Sequence, residues 1–254
     1  MLLLIDIGNT STTMGFWSSG AVKETLRLKT ASVKKDIDQK TGFLGSIVLD
    51  RKIGKPGGAA ISSVVPGVTS ILSNAVKKDF GLEPLHVDYR TKTGLTYAIN
   101  NIESLGADRI ANAVAARKLY KGNLVVVDIG TATTFCVITE EGEYKGGAIM
   151  PGPGLAVDSL SVKTANLPGI ELKPPSSTIG KDTAENILTG VIIGHAGAVE
   201  KIVDEMRKEL DTDLNLIATG GYSDLITPYI KGIAHINPLL TLEGLRFICE
   251  MNQG

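Results

Sequence analysis

The sequence predicts an α/β chain built twice over, two domains of mixed sheet flanked by helices, and three observations carry that reading. An apolar run closed by Asp-Ile-Gly occurs at 2–8 and again at 124–130. Each copy leads into small hydroxyl residues and a second apolar run. Beyond these, helix-patterned stretches alternate with short strand-like ones in both halves. Aligned without gaps, LLLIDIGNTSTTM (2–14) falls on LVVVDIGTATTFC (124–136), so Asp6 meets Asp128, Gly8 meets Gly130, Thr12 meets Thr134 and Gly20 meets Gly142. The spacing from Asp6 to Asp128 is close to half of a 254-residue chain, which points to a duplication. No Pro/Ser-rich linker separates the halves, so the division is placed inside a helix near 110–121, giving domains 1–115 and 116–254.

The elements follow in order. Four apolar residues before Asp6 read as a buried strand, and Asp-Ile-Gly ends it in a tight turn. Strands near 13–17 and 22–28, turning at Gly20, complete an antiparallel meander. A strand near 58–64, a helix near 68–78 and a strand near 84–87 come next. The second half repeats the meander near 134–139 and 143–148, joined at Glu141-Gly142. Its tail reads as a helix near 183–209, a strand near 214–218 and a helix near 242–251.

Composition narrows the class. With 43% apolar and 21% charged residues the chain suits a packed globular protein rather than a disordered one. A net charge of -1 supplies no basic field to recruit nucleic acid or an anionic membrane. Cys136 and Cys249 have no CxxC spacing, and this usage favours a reducing compartment. The apolar start is interrupted by Asp6, so it reads as a strand rather than a leader, and no stretch approaches the roughly 18 apolar residues of a membrane span. The expectation is a cytoplasmic protein with neither nucleic acid nor membrane as partner.

The two Asp-Gly turns point to phosphate. A Gly/Asn/Thr/Ser turn after a buried strand groups backbone N–H groups and short hydroxyls, and glycine lets the backbone approach an anion. A carboxylate at the end of a buried strand needs partners, and a magnesium ion on the phosphates would supply them. The plainer alternative is that Asp6 and Asp128 cap turns through Asx hydrogen bonds. Walker and Rossmann loops are excluded, since neither GxxxxGK[ST] nor a GxGxxG after a strand occurs. Gly106-Ala107-Asp108-Arg109 opens the helix between the halves. There a carboxylate can take a hydroxyl proton and a guanidinium can grip an acidic acceptor; alternatively Asp108 favours the helix dipole and Arg109 pairs with it on the surface. Gly220-Gly221 follows a predicted strand and can admit the adenine or merely start a helix. His86, His195 and His235 are scattered and read as core or surface residues.

Six segments together resemble the type III pantothenate kinases: Asp6-Ile7-Gly8-Asn9-Thr10, Gly106-Ala107-Asp108-Arg109, the run from Val127 to Phe135, the run from Gly146 to Gly152, Ile179-Gly180-Lys181-Asp182-Thr183, and Thr219-Gly220-Gly221. They stand in family order over nearly the whole chain. The resemblance implies a duplicated ribonuclease H-like, actin-like fold of the sugar-kinase superfamily, and a homodimer. It implies transfer of the ATP γ-phosphate to pantothenate, the first step of coenzyme A biosynthesis. By the same resemblance Asp108 is the general base, and Gly106, Ala107, Asp108 and Arg109 bind pantothenate, with Arg109 toward its carboxylate. Asp6, Ile7, Gly8, Asn9, Thr10, Ser11, Thr12 and Thr13 form the first ATP loop, and Asp6 supports magnesium through the phosphates. Thr131 contacts ATP, Asp128 holds potassium or ammonium, and Thr183 reaches pantothenate across the dimer. Four positions depart from the family pattern: Ile99 for a pocket tyrosine, Thr13 for a frequent lysine, Cys136 for a frequent aspartate, and Ser159 for the alanine of the usual Asp-Ala-Leu at 158–160. A non-catalytic regulatory accessory protein of the same fold, or a kinase of another small hydroxy acid, is the competing reading.

Overall fold

The computed structural model describes residues 1–39, 42–163 and 170–253. The strands and helices, in chain order, are β1 (Leu2–Ile7), β2 (Ser11–Ser18), β3 (Ala21–Lys29), α1 (Val33–Gln39), α2 (Phe43–Asp50), β4 (Gly58–Ser63), α3 (Pro66–Phe80), β5 (Leu85–His86), β6 (Thr96–Tyr97) and α4 (Ala107–Leu119). They continue with β7 (Leu124–Ile129), β8 (Ala132–Ile138), β9 (Glu143–Pro151), α5 (Pro153–Lys163), α6 (Thr183–Leu210), β10 (Asn215–Thr219), α7 (Ser223–Ile226), β11 (Ile233–Ile236) and α8 (Leu240–Asn252).

The chain divides into two compact units. One holds Met1–Leu95, Asn100–Lys118 and Leu239–Gly254; the other holds Thr96–Ile99 and Leu119–Pro238. The first sheet has the order β3-β2-β1-β4-β5, and the second has β11-β10-β7-β8-β9-β6. Apart from β6, the two orders are the same: an antiparallel meander whose first strand pairs in parallel with a later strand, which pairs in parallel with one more. The duplication is therefore visible in topology as well as in sequence.

Strand register corrects the gapless alignment by one position. Ile7 lies opposite Thr12 and Asp6 opposite Thr13, whereas Ile129 lies opposite Thr133 and Asp128 opposite Thr134. The first turn is one residue longer, so the structural counterpart of Thr12 is Thr133. Both are completely buried.

Alternation along β1 explains the first core. Leu3, Ile5 and Ile7 face one way, with Met14, Phe16 and Ile61 beside them, and helices α1 to α3 add Val33, Leu44, Leu72 and Val76. Each such fully buried aliphatic contributes on the order of 1.5–3 kcal/mol. Leu4 is just as buried on the opposite face, as expected for a strand in parallel pairing. The side chain of Leu242, from α8, lies against Gly15 of β2 on the same sheet. This is where the expected domains 1–115 and 116–254 need correction: the chain's last helix belongs to the first unit, because the first sheet has a second apolar face to cover. Arg246 of α8 stacks on Trp17 of β2, with 4.5 Å from guanidinium to ring centroid.

In the second unit, Val125, Val127, Ile129, Phe135 and Leu216 meet Leu188, Ile192, Ala196, Val199 and Val203 of α6. The spacing of these α6 residues is that of one helix face. Helix α6 has 28 residues, and one 18-residue window reaches a mean hydropathy of 1.2, long and apolar enough to cross a membrane by length and composition. The expectation that no such stretch exists is corrected on that point, and the apolar face of this helix lies in the second core.

Candidate functional site

In the first unit the site begins at the end of β1. Residues on β1 alternate, so Asp6 shares the face of Leu4, and register sets it between Thr13 on β2 and Ser62 on β4. The turn that follows is fastened from within: Gly8 N–H donates to Ser11 O at 3.0 Å. A residue 22 positions away also holds it. Thr30 Oγ1 donates to Gly8 O at 2.7 Å and bonds Thr12 Oγ1 at 3.1 Å, while Thr30 N–H donates to Thr10 O at 3.0 Å. Arg27 reaches Ser11 Oγ at 3.1 Å. Asn9 and Thr10 are left exposed at the tip. The turn is thus fastened at its base and open at its apex.

The expected base loop lies in the same unit. Asp108 stands in the first turn of α4, and its Oδ1 accepts from Arg109 N–H at 2.8 Å. The carboxylate folds over Gly106, where a Cβ would come within 2.5 Å of Asp108 Oδ1 and make the carboxylate shift. Val64 joins this loop to the turn after β1. Its N–H donates to Ile7 O at 3.1 Å, and its side chain lies 3.9 Å from the position a Cβ on Gly106 would take. Asp108 and Arg109 are both half-buried.

Three segments converge in the second unit. Asp128 ends β7 between Thr134 and Thr219. Gly152 N–H donates to Thr131 O, and Tyr222 N–H donates to Ile129 O, each at 2.9 Å. At Gly220 the backbone has φ +96, and a Cβ would press on Asp128 Oδ1 and lie 2.6 Å from Ile129 O. The Asp128 carboxylate and both the amide nitrogen and the carbonyl oxygen of Ile129 therefore crowd the point where a side chain would begin, and only glycine fits there. Among the described residues no group of three His, Cys, Asp or Glu side chains could cage a metal. A divalent ion at Asp6 would accordingly be held by one carboxylate together with phosphates and water, the usual habit of magnesium.

Thr183 opens α6, exposed, next to Asp182, which caps the helix by accepting from Glu185 N–H at 2.9 Å. Among the described residues no hydrogen bond joins Thr183 to Asp128 or Thr131. Thr30 escaped the sequence reading, while His195, read there as a core or surface residue, belongs to the core. His195 is buried on α6 and bonds Thr133 at 2.9 Å, directly after the second turn, and burial pushes its pKa down. The departures are accommodated locally. Thr13 flanks Asp6, Ile99 lies near Gly146, and Cys136 accepts from buried Tyr144 Oη at 3.3 Å.

Two meanders of matching strand order, each ending its first strand in Asp-Ile-Gly, define a duplicated mixed α/β fold. A solved Campylobacter jejuni structure, named as a candidate Baf family transcriptional activator, matches with a TM-score of 0.60 at 22% identity over 98% of each chain. A candidate 2-dehydro-3-deoxygalactonokinase from Sinorhizobium meliloti matches with a TM-score of 0.59 at 13% identity, over 100% of this chain and 97% of that one. At these identities both speak for the fold alone. A family model for type III pantothenate kinase matches residues 2–205. A type III pantothenate kinase of Roseiflexus sp. is 43% identical over the full length of both chains. One of Moorella thermoacetica is 40% identical over 99% of this chain and 100% of that one. The chain belongs to the type III pantothenate kinase family.

Proposed function

We propose that this protein transfers the γ-phosphate of ATP to the primary hydroxyl of pantothenate, yielding 4′-phosphopantothenate at the start of coenzyme A biosynthesis. The observation that carries the reading is the first-unit arrangement: a fastened phosphate turn at Asp6–Thr13 tied through Val64 to an Asp108 carboxylate folded over Gly106. The turn cradles the phosphates, and Thr131 contributes from the second turn. Asp108 accepts the proton of the attacking hydroxyl as its oxygen bonds to phosphorus and the bond to the ADP oxygen breaks. Arg109 pairs with the pantothenate carboxylate, a bidentate contact suited to a guanidinium. Asp6 is the carboxylate for magnesium, and Asp128 beside Gly220 is the one for potassium or ammonium; both ions would supply positive charge against the crowded phosphate oxygens. Thr183, exposed at the start of α6, serves the acceptor site of a partner in a homodimer, and the protein works in the cytoplasm.

An assay of ADP release with pantothenate, run in potassium, ammonium and sodium, tests the proposal. Turnover that depends on pantothenate and on potassium or ammonium is expected. Asp108→Asn is expected to lose at least about a hundredfold of it while still binding ATP. A wild-type protein that binds ATP but releases no ADP with pantothenate would favour the regulatory accessory reading.

A further inference from the structure

Beside the Asp6 carboxylate is a hydroxyl that the fold leaves without a use. Ser62 on β4 lies directly across from Asp6 on β1, so parallel register puts the two side chains on one face of the sheet. Ser62 is completely buried, and among the described residues its Oγ has no hydrogen-bond partner. Burying a hydroxyl unsatisfied costs stability, and an alanine of nearly the same shape would avoid that cost.

The neighbouring serine shows the contrast. Ser63 Oγ accepts from Val65 N–H at 3.0 Å and from Thr69 Oγ1 at 2.6 Å, and so fastens the start of α3. One residue of the Ser-Ser pair is thus fully engaged in structure. The other is buried and idle at the end of the sheet where Asp6 sits, and it is followed by Val64, which reaches both Ile7 and Gly106. The same row in the second unit is Thr134, Asp128 and Thr219, so each aspartate has a hydroxyl residue on both sides. A buried polar atom with no partner in its own chain, placed next to a ligand-binding carboxylate, is suited to a partner that arrives with the ligand.

We infer that Ser62 is a further binding residue of this site: its hydroxyl takes as its partner a water of the hydrated divalent cation that accompanies the nucleotide. The chemistry of the group fits. A hydroxyl can donate and accept at once, and magnesium keeps several of its waters when one carboxylate and phosphates hold it. The inference rests on Asp6 being the carboxylate for the nucleotide's cation.

The test compares wild type, Ser62→Ala and Ser63→Ala by calorimetric titration with magnesium and a non-hydrolysable ATP analogue, without pantothenate, and by thermal unfolding without ligand. Ser62→Ala is expected to raise the Kd for the magnesium–nucleotide about tenfold with no fall in the ligand-free Tm. Ser63→Ala is expected to do the reverse, lowering Tm with Kd unchanged. With EDTA present, wild type and Ser62→Ala should bind the analogue alike, since the lost contact belongs to the cation's water. An unchanged magnesium–nucleotide Kd in Ser62→Ala, or a Tm loss matching that of Ser63→Ala, would overturn the inference and leave the proposed reaction standing. A wild type that binds no magnesium–nucleotide would overturn both.

Discussion

At Gly220 the sequence suggested two uses, admission of the adenine or the start of a helix, and the geometry adds a third. The residue occupies a left-handed conformation hard against Asp128 and Ile129. Gly220→Ala should therefore lose about 2 kcal/mol or more of stability and raise the potassium concentration needed for half-activation; denaturant melts and a potassium titration read the two effects. His195 offers a second prediction. Its folded pKa lies below the ordinary 6.5 because it is desolvated, so the unfolded chain takes up the proton first. The stability it contributes is intact above about pH 6.5 and is lost as pH falls from there toward the folded value. Melts from pH 7.5 down to about 5.5 should show that loss in wild type and not in His195→Gln, whose amide can still bond Thr133. Neither the Thr133–His195 bond nor the strap from Thr30 to Gly8 was legible in the sequence. Each joins residues far apart in the chain, and no local pattern of polar residues encodes such a contact.

Helices and strands were more legible. The meander strands, β4, α3, α6, β10 and α8 fall within a few residues of their expected limits, because each carries a strong apolar period bounded by Gly, Pro or polar residues. Short α1, α2 and α5 were not anticipated. Seven to eleven residues give too few turns for a 3.6 period to stand out. Helix α4 is read correctly as a helix, yet its composition hides why it is so rich in alanine. Its residues from Ile110 to Ala116 are all buried, and Gly244 of α8 sits against the Ala111 backbone. Glycine inside a helix costs about 1 kcal/mol relative to alanine, so its presence reflects close helix approach. Gly244→Ala should be net destabilising by about 2 kcal/mol despite the better propensity; a loss of Tm together with unchanged helicity by circular dichroism would bear this out. A gain in Tm would mean that α8 can shift without cost.

For the whole molecule, the duplication was written plainly in two Asp-Ile-Gly runs, and the matching sheet orders extend it to every strand but β6. The one-residue difference between the two turns was not legible, because threonines fill both turns and a gapless match looks equally good. Nor was the allegiance of α8, since amphipathic spacing says that a helix needs a sheet and not which sheet. Deleting 239–254 should uncover the first sheet while leaving α6 on the second. Hydrogen exchange followed by mass spectrometry should then show β1 and β4 losing protection well before α6; equal loss in both units would contradict the assignment.

That last helix also has a consequence for how the molecule comes into being. On the ribosome, β1 is made before the second unit, but the helix that seals its second face is made only after that unit has been synthesised. The amino-terminal half must wait with Leu4 and its neighbours uncovered while the second unit already has all its own strands. Nascent chains released early would carry a finished second unit and an unfinished first one, a species bearing one Asp-Ile-Gly turn fully supported and the other, with Asp108 beside it, still in need of its cover.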